Sequence, residues 1–297
     1  MLHQSKVRKT ALCLIYAILE QNCTEQDFPY RHFWEITLEK DYDHLRQALC
    51  KGILHACRSA KEVAGVFVER GEAFLLETQG DFTLVPQREI VESCVERTKA
   101  TLTALTDLRL CLNDKRRDGS APLEERCRKV LQLAQTICRL SEDLFSRLAD
   151  APEMRPSPEG VAGAMRRWLR VLGECTPLEH PETLADSEEY AGLARKALDL
   201  AALRPAAEQL AREVVARRDA LEADLERLLR NYVPERLDVV DKSILYLSLY
   251  ELQCRKLSIP IVISEANNLA HEFSGSKSAP FIHGVLAAAA LEQADNS

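Results

Sequence analysis

Between Ile244 and Leu252 the chain offers almost no polar position: Ile244, Leu245, Tyr246, Leu247, Leu249, Tyr250 and Leu252 are apolar on nearly every side of a helix. A helix of that kind must be enclosed, so the rest of the chain has to supply a shell around it. Asp238 stands where a side chain can cap free backbone N–H groups, and Asp241 adds negative charge in the first turn. Arg255 and Lys256 suit the negative end of the helix dipole, and Ile259-Pro260 then breaks the chain. A second helix carries Ile263, Ala266, Leu269, Ala270 and Phe273 at helical spacing, followed by a short flexible loop over residues 274–278. Pro280 suits the first turn of a third helix, which places Phe281, Val285, Ala288 and Ala289 on one face. Gly284 within it predicts a close backbone approach.

The same stretch carries several motifs in a fixed order. They are Leu-Asp-Val-Val-Asp-Lys-Ser-Ile-Leu from Leu237 to Leu245, Leu249-Tyr250-Glu251-Leu252, Ile259-Pro260, Ser264-Glu265-Ala266, and Phe-Ile-His-Gly-Val-Leu from Phe281 to Leu286. In order and spacing they resemble the C-terminal half of the NusB family of transcription antitermination factors. The resemblance implies an all-helical, non-catalytic RNA-binding protein that takes the boxA element of nascent ribosomal RNA together with the small-subunit ribosomal protein NusE. The loop before the final helix usually carries acidic residues in that family, whereas Lys277 occupies it here.

At 297 residues the chain is about twice the length expected of such a domain. With 46% hydrophobic and 29% charged residues, the added part belongs to the globular class. A net charge of -7 argues against whole-molecule attraction to nucleic acid, so RNA binding requires a local basic surface. No apolar run approaches a membrane span and no signal-peptide pattern opens the chain, so a cytoplasmic protein is expected. The ten cysteines are scattered without a Cys-x-x-Cys pair, which points to small apolar side chains in place of disulfides or a metal site.

From Met1 to Leu19 there is no acidic residue, and Lys6, Arg8 and Lys9 precede an apolar face of Leu12, Ile15, Tyr16 and Leu19. Cations are disfavoured at a helix N-terminus, so a purely structural helix would more often carry acids there, yet by itself the stretch reads as a solvated basic terminus. Aligned through Ala11 and Tyr16, Lys6 and Arg8 match basic positions of the family's arginine-rich motif, while Gln4 and Ser5 fall where arginines are common. The aromatic cluster from Phe28 to Trp34 reads as a loop wedged against a core. Leu45, Leu49, Gly52, Ile53 and Leu54 resemble the family's third helix, and there the resemblance stops.

Residues 60–77 read as helix, although Val66-Phe67-Val68 and residues 82–85 also fit two short paired strands, and periodicity does not separate the two. Ile90, Cys94, Thr98, Leu102, Leu105, Leu108 and Leu112 form one amphipathic stripe. Cys127, Val130, Leu131, Ala134, Cys138, Leu144 and Leu148 form a second, and together they predict an antiparallel hairpin whose tip carries Lys115, Arg116 and Arg117. Between the proline-rich connectors 151–160 and 176–187, Arg166, Arg167 and Arg170 surround Trp168. Such a turn can hold phosphate and stack a base, but an amphipathic helix with solvated arginines is the reading we favour. From Pro205 one long helix is expected through Leu210, Val214, Leu221, Leu225, Leu228 and Leu229 towards Tyr232.

Nucleotide, zinc-protease and serine-hydrolase motifs are missing, so no enzyme, cofactor or metal is expected, and His271 and His283 are read as surface or interface residues. The expected protein is an all-α, NusB-like helical bundle interrupted by a large helical insertion. Residues 1–60 and 187–297 form the bundle and 61–186 the insertion. Taken with the family resemblance, the expected RNA contacts are Lys6, Arg8, Lys9, Tyr16, Lys277 and Phe281. The expected partners are single-stranded boxA-like RNA, NusE and the transcription elongation complex, with no membrane. A helical scaffold, or an RNA-binding module of ribosomal-RNA maturation without antitermination activity, is the alternative.

Overall fold

A computed structural model describes residues 4–23, 26–114, 121–149, 160–229, 236–275 and 277–295. Among the described residues every regular element is helical. The α-helices are α1 (Gln4–Glu20), α2 (Tyr30–Thr37), α3 (Glu39–Ala56), α4 (Ala60–Glu77), α5 (Val85–Asn113) and α6 (Ala121–Ala149). They continue with α7 (Val161–Cys175), α8 (Ala191–Val215), α9 (Arg218–Leu228), α10 (Val239–Gln253), α11 (Ile259–Phe273) and α12 (Ser278–Asp295). Two compact units result, one of residues 1–39 with 199–297 and one of residues 40–198.

In the first unit α10 packs against α1, α9, α11 and α12, and every residue from Ser243 to Leu252 is buried. This is the enclosure its sequence demands. Asp238 caps the helix by accepting the Val240 N–H at 2.8 Å. Two of the three polar residues in this stretch are small serines, and Ser243 returns its hydroxyl to the Val239 carbonyl at 2.6 Å. Pro260 lies in the first turn of α11, where its missing N–H costs no hydrogen bond. Gly284 does not serve a close approach, since a Cβ there would meet nothing within 4 Å.

The aromatic cluster belongs to the core of this unit. Phe28 and Trp34 are buried, edge-to-face ring contacts at 5.0–5.8 Å link Phe28, Phe33 and Trp34, and the Trp34 indole N–H donates to Glu208 at 3.1 Å. The long helix expected from Pro205 is instead two. α8 starts at Ala191, carries Pro205 inside it and stops at Val215, and Leu221, Leu225 and Leu228 belong to α9. The break falls at Ala216 and Arg217, where Arg217 N–H turns back to Val214 O at 3.1 Å. No glycine or proline marks it. Tyr232 lies outside the described residues.

In the second unit α5 and α6 form the expected hairpin, with α4 against α5 and α7 against both α4 and α6. Lys115, Arg116 and Arg117 at its tip, Leu148 as a side chain, and connector residues 151–159 lie outside the described residues. Residues 60–77 are helix throughout, and Phe82–Leu84 form a single 3-10 turn, so the strand alternative falls away. Gly71 lets α4 approach α5, because a Cβ there would stand 2.4 Å from a Val95 methyl. Residues 40–60 pack here as well: Cys50, Ile53, Ala56 and Cys57 join the core of α4–α7. The chain therefore passes from the first unit to the second after residue 39 and returns after residue 198. The ten cysteines are free thiols, half of them buried, and burial beside Asp143 pushes the Cys94 thiol up to about 12.

Candidate nucleic-acid interface

The expected RNA contacts fall into three groups once α1 is packed. Lys6, Lys9 and Tyr16 are exposed, and spacings of three and seven residues keep them on one side of the helix. Val7, Ala11, Leu14, Ile15 and Ile18 are buried on the other. Arg8 goes inward with them. It is 7% exposed, its Nε donates to both carboxylate oxygens of Glu251 at 2.7 and 3.0 Å, and a second nitrogen lies 3.9 Å from Glu265. Arg8 is thus an internal counter-ion, which corrects its expected role as a phosphate contact free of any part in folding. Desolvation pushes the Glu251 carboxyl above its ordinary range, and the charge and hydrogen bonds of Arg8 pull it partway back.

Lys9 is exposed and engaged. Its ammonium forms an ion pair with Glu272, at the end of α11, and sits 5.3 Å from the centre of the Phe273 ring. Cys13, on the same side of α1, has its thiol pushed up by burial and, more weakly, by Glu272, against the opposing effect of Lys9.

The loop between α11 and α12 forms the other part of the surface. Lys277 is exposed in it, and Phe281 is half-buried in the first turn of α12. The loop is clasped from below by Asp241, whose side chain faces inward: Ser274 Oγ donates to Oδ1 at 2.6 Å and Ser278 Oγ to Oδ2 at 2.8 Å. The two hydroxyl oxygens are themselves 2.8 Å apart. Short charge-assisted bonds thus hold Ser274 and Ser278 on either side of Lys277, two positions that read as flexible in sequence. Ser276 lies outside the described residues.

The basic turn of α7 does not offer a stacking base partner. Trp168 is fully buried, while Arg166, Arg167 and Arg170 are exposed and Arg166 lies 5.4 Å over the Phe145 ring. His283 meets Asn267 at 3.3 Å, one turn before His271. Among the described residues no group of three or more His, Cys, Asp or Glu side chains could hold a metal ion, and no helix is long and apolar enough to cross a membrane.

Sequence reasoning missed the Asp241 clasp and the Glu251–Arg8 pair. A signal for the second exists: Glu251 interrupts an otherwise apolar helix, and a carboxylate there calls for a buried cation. Nothing in either segment alone says which cation, since the partners are 243 positions apart.

The model of the NusB family matches residues 175–291, a stretch that holds α8, α9, α10 and α11, most of α12 and the Lys277 loop but not α1. The transcription antitermination protein NusB of Acidothermus cellulolyticus is 36% identical over 87 residues, covering 29% of this chain and 60% of that protein. NusB of Methylacidiphilum infernorum is 34% identical over 84 residues, 28% of this chain and 59% of its own. NusB of Clostridium botulinum strain Kyoto is 33% identical over 107 residues, 35% of this chain and 71% of its own. The chain thus spans about three fifths of the length of the first two relatives. No solved structure matches. With a helical bundle around α10 and this identity over more than two thirds of a relative's length, the chain belongs to the NusB family.

Proposed function

We propose that this protein binds single-stranded RNA as a transcription antitermination factor of NusB type. In this reading it acts in the cytoplasm on ribosomal RNA transcripts of boxA type, together with NusE and the elongation complex, and performs no catalysis. The observation that carries the reading is the outward row of Lys6, Lys9 and Tyr16 on α1, in the same unit as the clasped loop that presents Lys277 and leads to Phe281. Lysines supply phosphate attraction without sequence preference, and Tyr16 and Phe281 supply ring faces for bases.

The test is a titration of boxA-like RNA, with and without NusE, across a range of salt concentrations. Since Arg8 is internal, three lysines remain, and at about 0.7 per neutralised phosphate the log-log salt slope should be about -2. Lys277→Asp should lower its magnitude by about 0.7 or more and weaken binding, with little change in stability because Lys277 is exposed in a loop. Equal affinity and equal slope for the two proteins would remove Lys277 from the interface. The second reading is a helical scaffold that keeps the fold without RNA affinity, favoured by the inward Arg8 and the engaged Lys9. It predicts no saturable RNA binding at any salt concentration.

A further inference from the structure

We propose that Glu272 is an internal competitor for RNA phosphate and sets the affinity of this surface. The inference rests on the RNA-binding reading above and adds a residue to it.

Three observations converge on this residue. Lys9 lies in the exposed row of α1, so its ammonium stands where a phosphate would be met. That ammonium is held in place by the Glu272 carboxylate and, from α11, by the face of the Phe273 ring at 5.3 Å. Both partners of the ion pair stay about half exposed, with side-chain exposures of 46% and 50%, so the pair can open without unfolding anything. A carboxylate on a lysine presents the same chemistry as a phosphate oxygen on a lysine. RNA reaching this surface therefore finds one cation already neutralised and one negative charge beside it.

The contrast with Arg8 defines the role. Arg8 and Glu251 are both buried, so their pair is closed to any ligand and belongs to the core. Lys9 and Glu272 form the solvent-facing counterpart on the same two sides, α1 and the following helices. A pair of this exposure is weak, so a phosphate can displace it, at the cost of part of the binding energy.

The expected effect can be stated in numbers. Exposed ion pairs of this kind correspond to a factor of about 1.5 to 5 in an equilibrium, so Glu272→Gln should tighten binding of a short boxA-like single-stranded RNA by that factor at low salt. Lys9 meets a phosphate in both proteins, so the log-log salt slope should stay near about -2 in Glu272→Gln and fall in magnitude by about 0.7 once Lys9 is removed. The measurement is fluorescence anisotropy on the full chain across salt concentrations, with four proteins: wild type, Glu272→Gln, Lys9→Gln/Glu272→Gln, and Asp219→Asn. The last removes one exposed negative charge from α9 and reports the generic effect of net charge.

The proposal holds if Glu272→Gln gains affinity at an unchanged slope, the double variant loses that gain and part of the slope, and Asp219→Asn gains much less. It falls if Glu272→Gln binds no more tightly than wild type, if the gain persists without Lys9, or if Asp219→Asn reproduces it. Failure of wild type and Glu272→Gln alike to bind RNA would instead remove the RNA reading itself, a different result from binding that is indifferent to Glu272.

Discussion

Replacing Arg8 with methionine should unfold more than it unbinds. The methionine keeps most of the side-chain volume and its buried stem but withdraws the cation from Glu251, whose side chain is only 4% exposed, and from Glu265 at 3.9 Å. A buried carboxylate stripped of its partner typically costs about 3–5 kcal/mol. For a unit of this size that lowers the melting transition by on the order of 10 °C. The loss should depend on pH with a definite sign. Desolvation already raises the Glu251 pKa, and removing Arg8 removes the largest opposing effect, so the folded-state value rises further above the unfolded one. A group of that kind favours the folded state below its unfolded pKa and loses that contribution as pH rises through the folded value. The penalty of Arg8→Met should therefore be smallest below the ordinary carboxylate value of 4.5 and largest at neutral pH. Calorimetry at both ends of that range, with Arg8→Met/Glu251→Met as a companion, gives the measurement. The double variant should recover most of the loss, because replacing both members of a buried pair by apolar groups is often neutral. A loss below about 1 kcal/mol at neutral pH, independent of pH, would show that the pair is solvated and refute the reasoning.

Joining residue 39 to residue 199 through about ten Gly/Ser residues should leave a cooperatively melting unit, because Trp34 and Arg204 are already in contact at 5.7 Å near the two cut ends. Cutting only residues 86–185 should leave residues 40–85 unfolded beside that unit, since it strips the cover from Ile53, Phe67 and Phe74; circular dichroism of the two deletions compares their helix content per residue. Trp168→Ala should destabilise the 40–198 unit by about 3–5 kcal/mol in denaturant unfolding and leave RNA affinity unchanged, whereas an RNA-stacking tryptophan would give the opposite pair of results.

The sequence by itself determined the helices and the family, because both depend on relations between near neighbours. Asp238 as a cap, Pro260 and Pro280 in first turns, and the apolar run of α10 each state their local structure within a few residues. Much of the candidate surface was legible in the same way: Lys6, Lys9 and Tyr16 share a side of α1 by spacing alone. Spacing also put Arg8 on the line of Ala11, Ile15 and Ile18, the buried side, so its inward direction was legible in principle. Its partner was not, since Glu251 arrives from the far end of the chain only when α10 packs on α1.

The tertiary structure alone decided the rest. Residues 40–60 carry an apolar face that either unit could have buried, and packing with α4–α7 settled it. The α8–α9 break lies in a segment with no helix breaker, so local propensity has nothing to report there. The charges of Lys9 and Asp241 read from sequence and family resemblance as a phosphate contact and a helix-dipole complement. Docking of α11 and its loop turned the first into an ion pair with Glu272 and the second into a clasp on Ser274 and Ser278. The physical reason is common to all of these: helical pattern fixes which side a residue faces, but the energy of a charge depends on what another segment brings to that side.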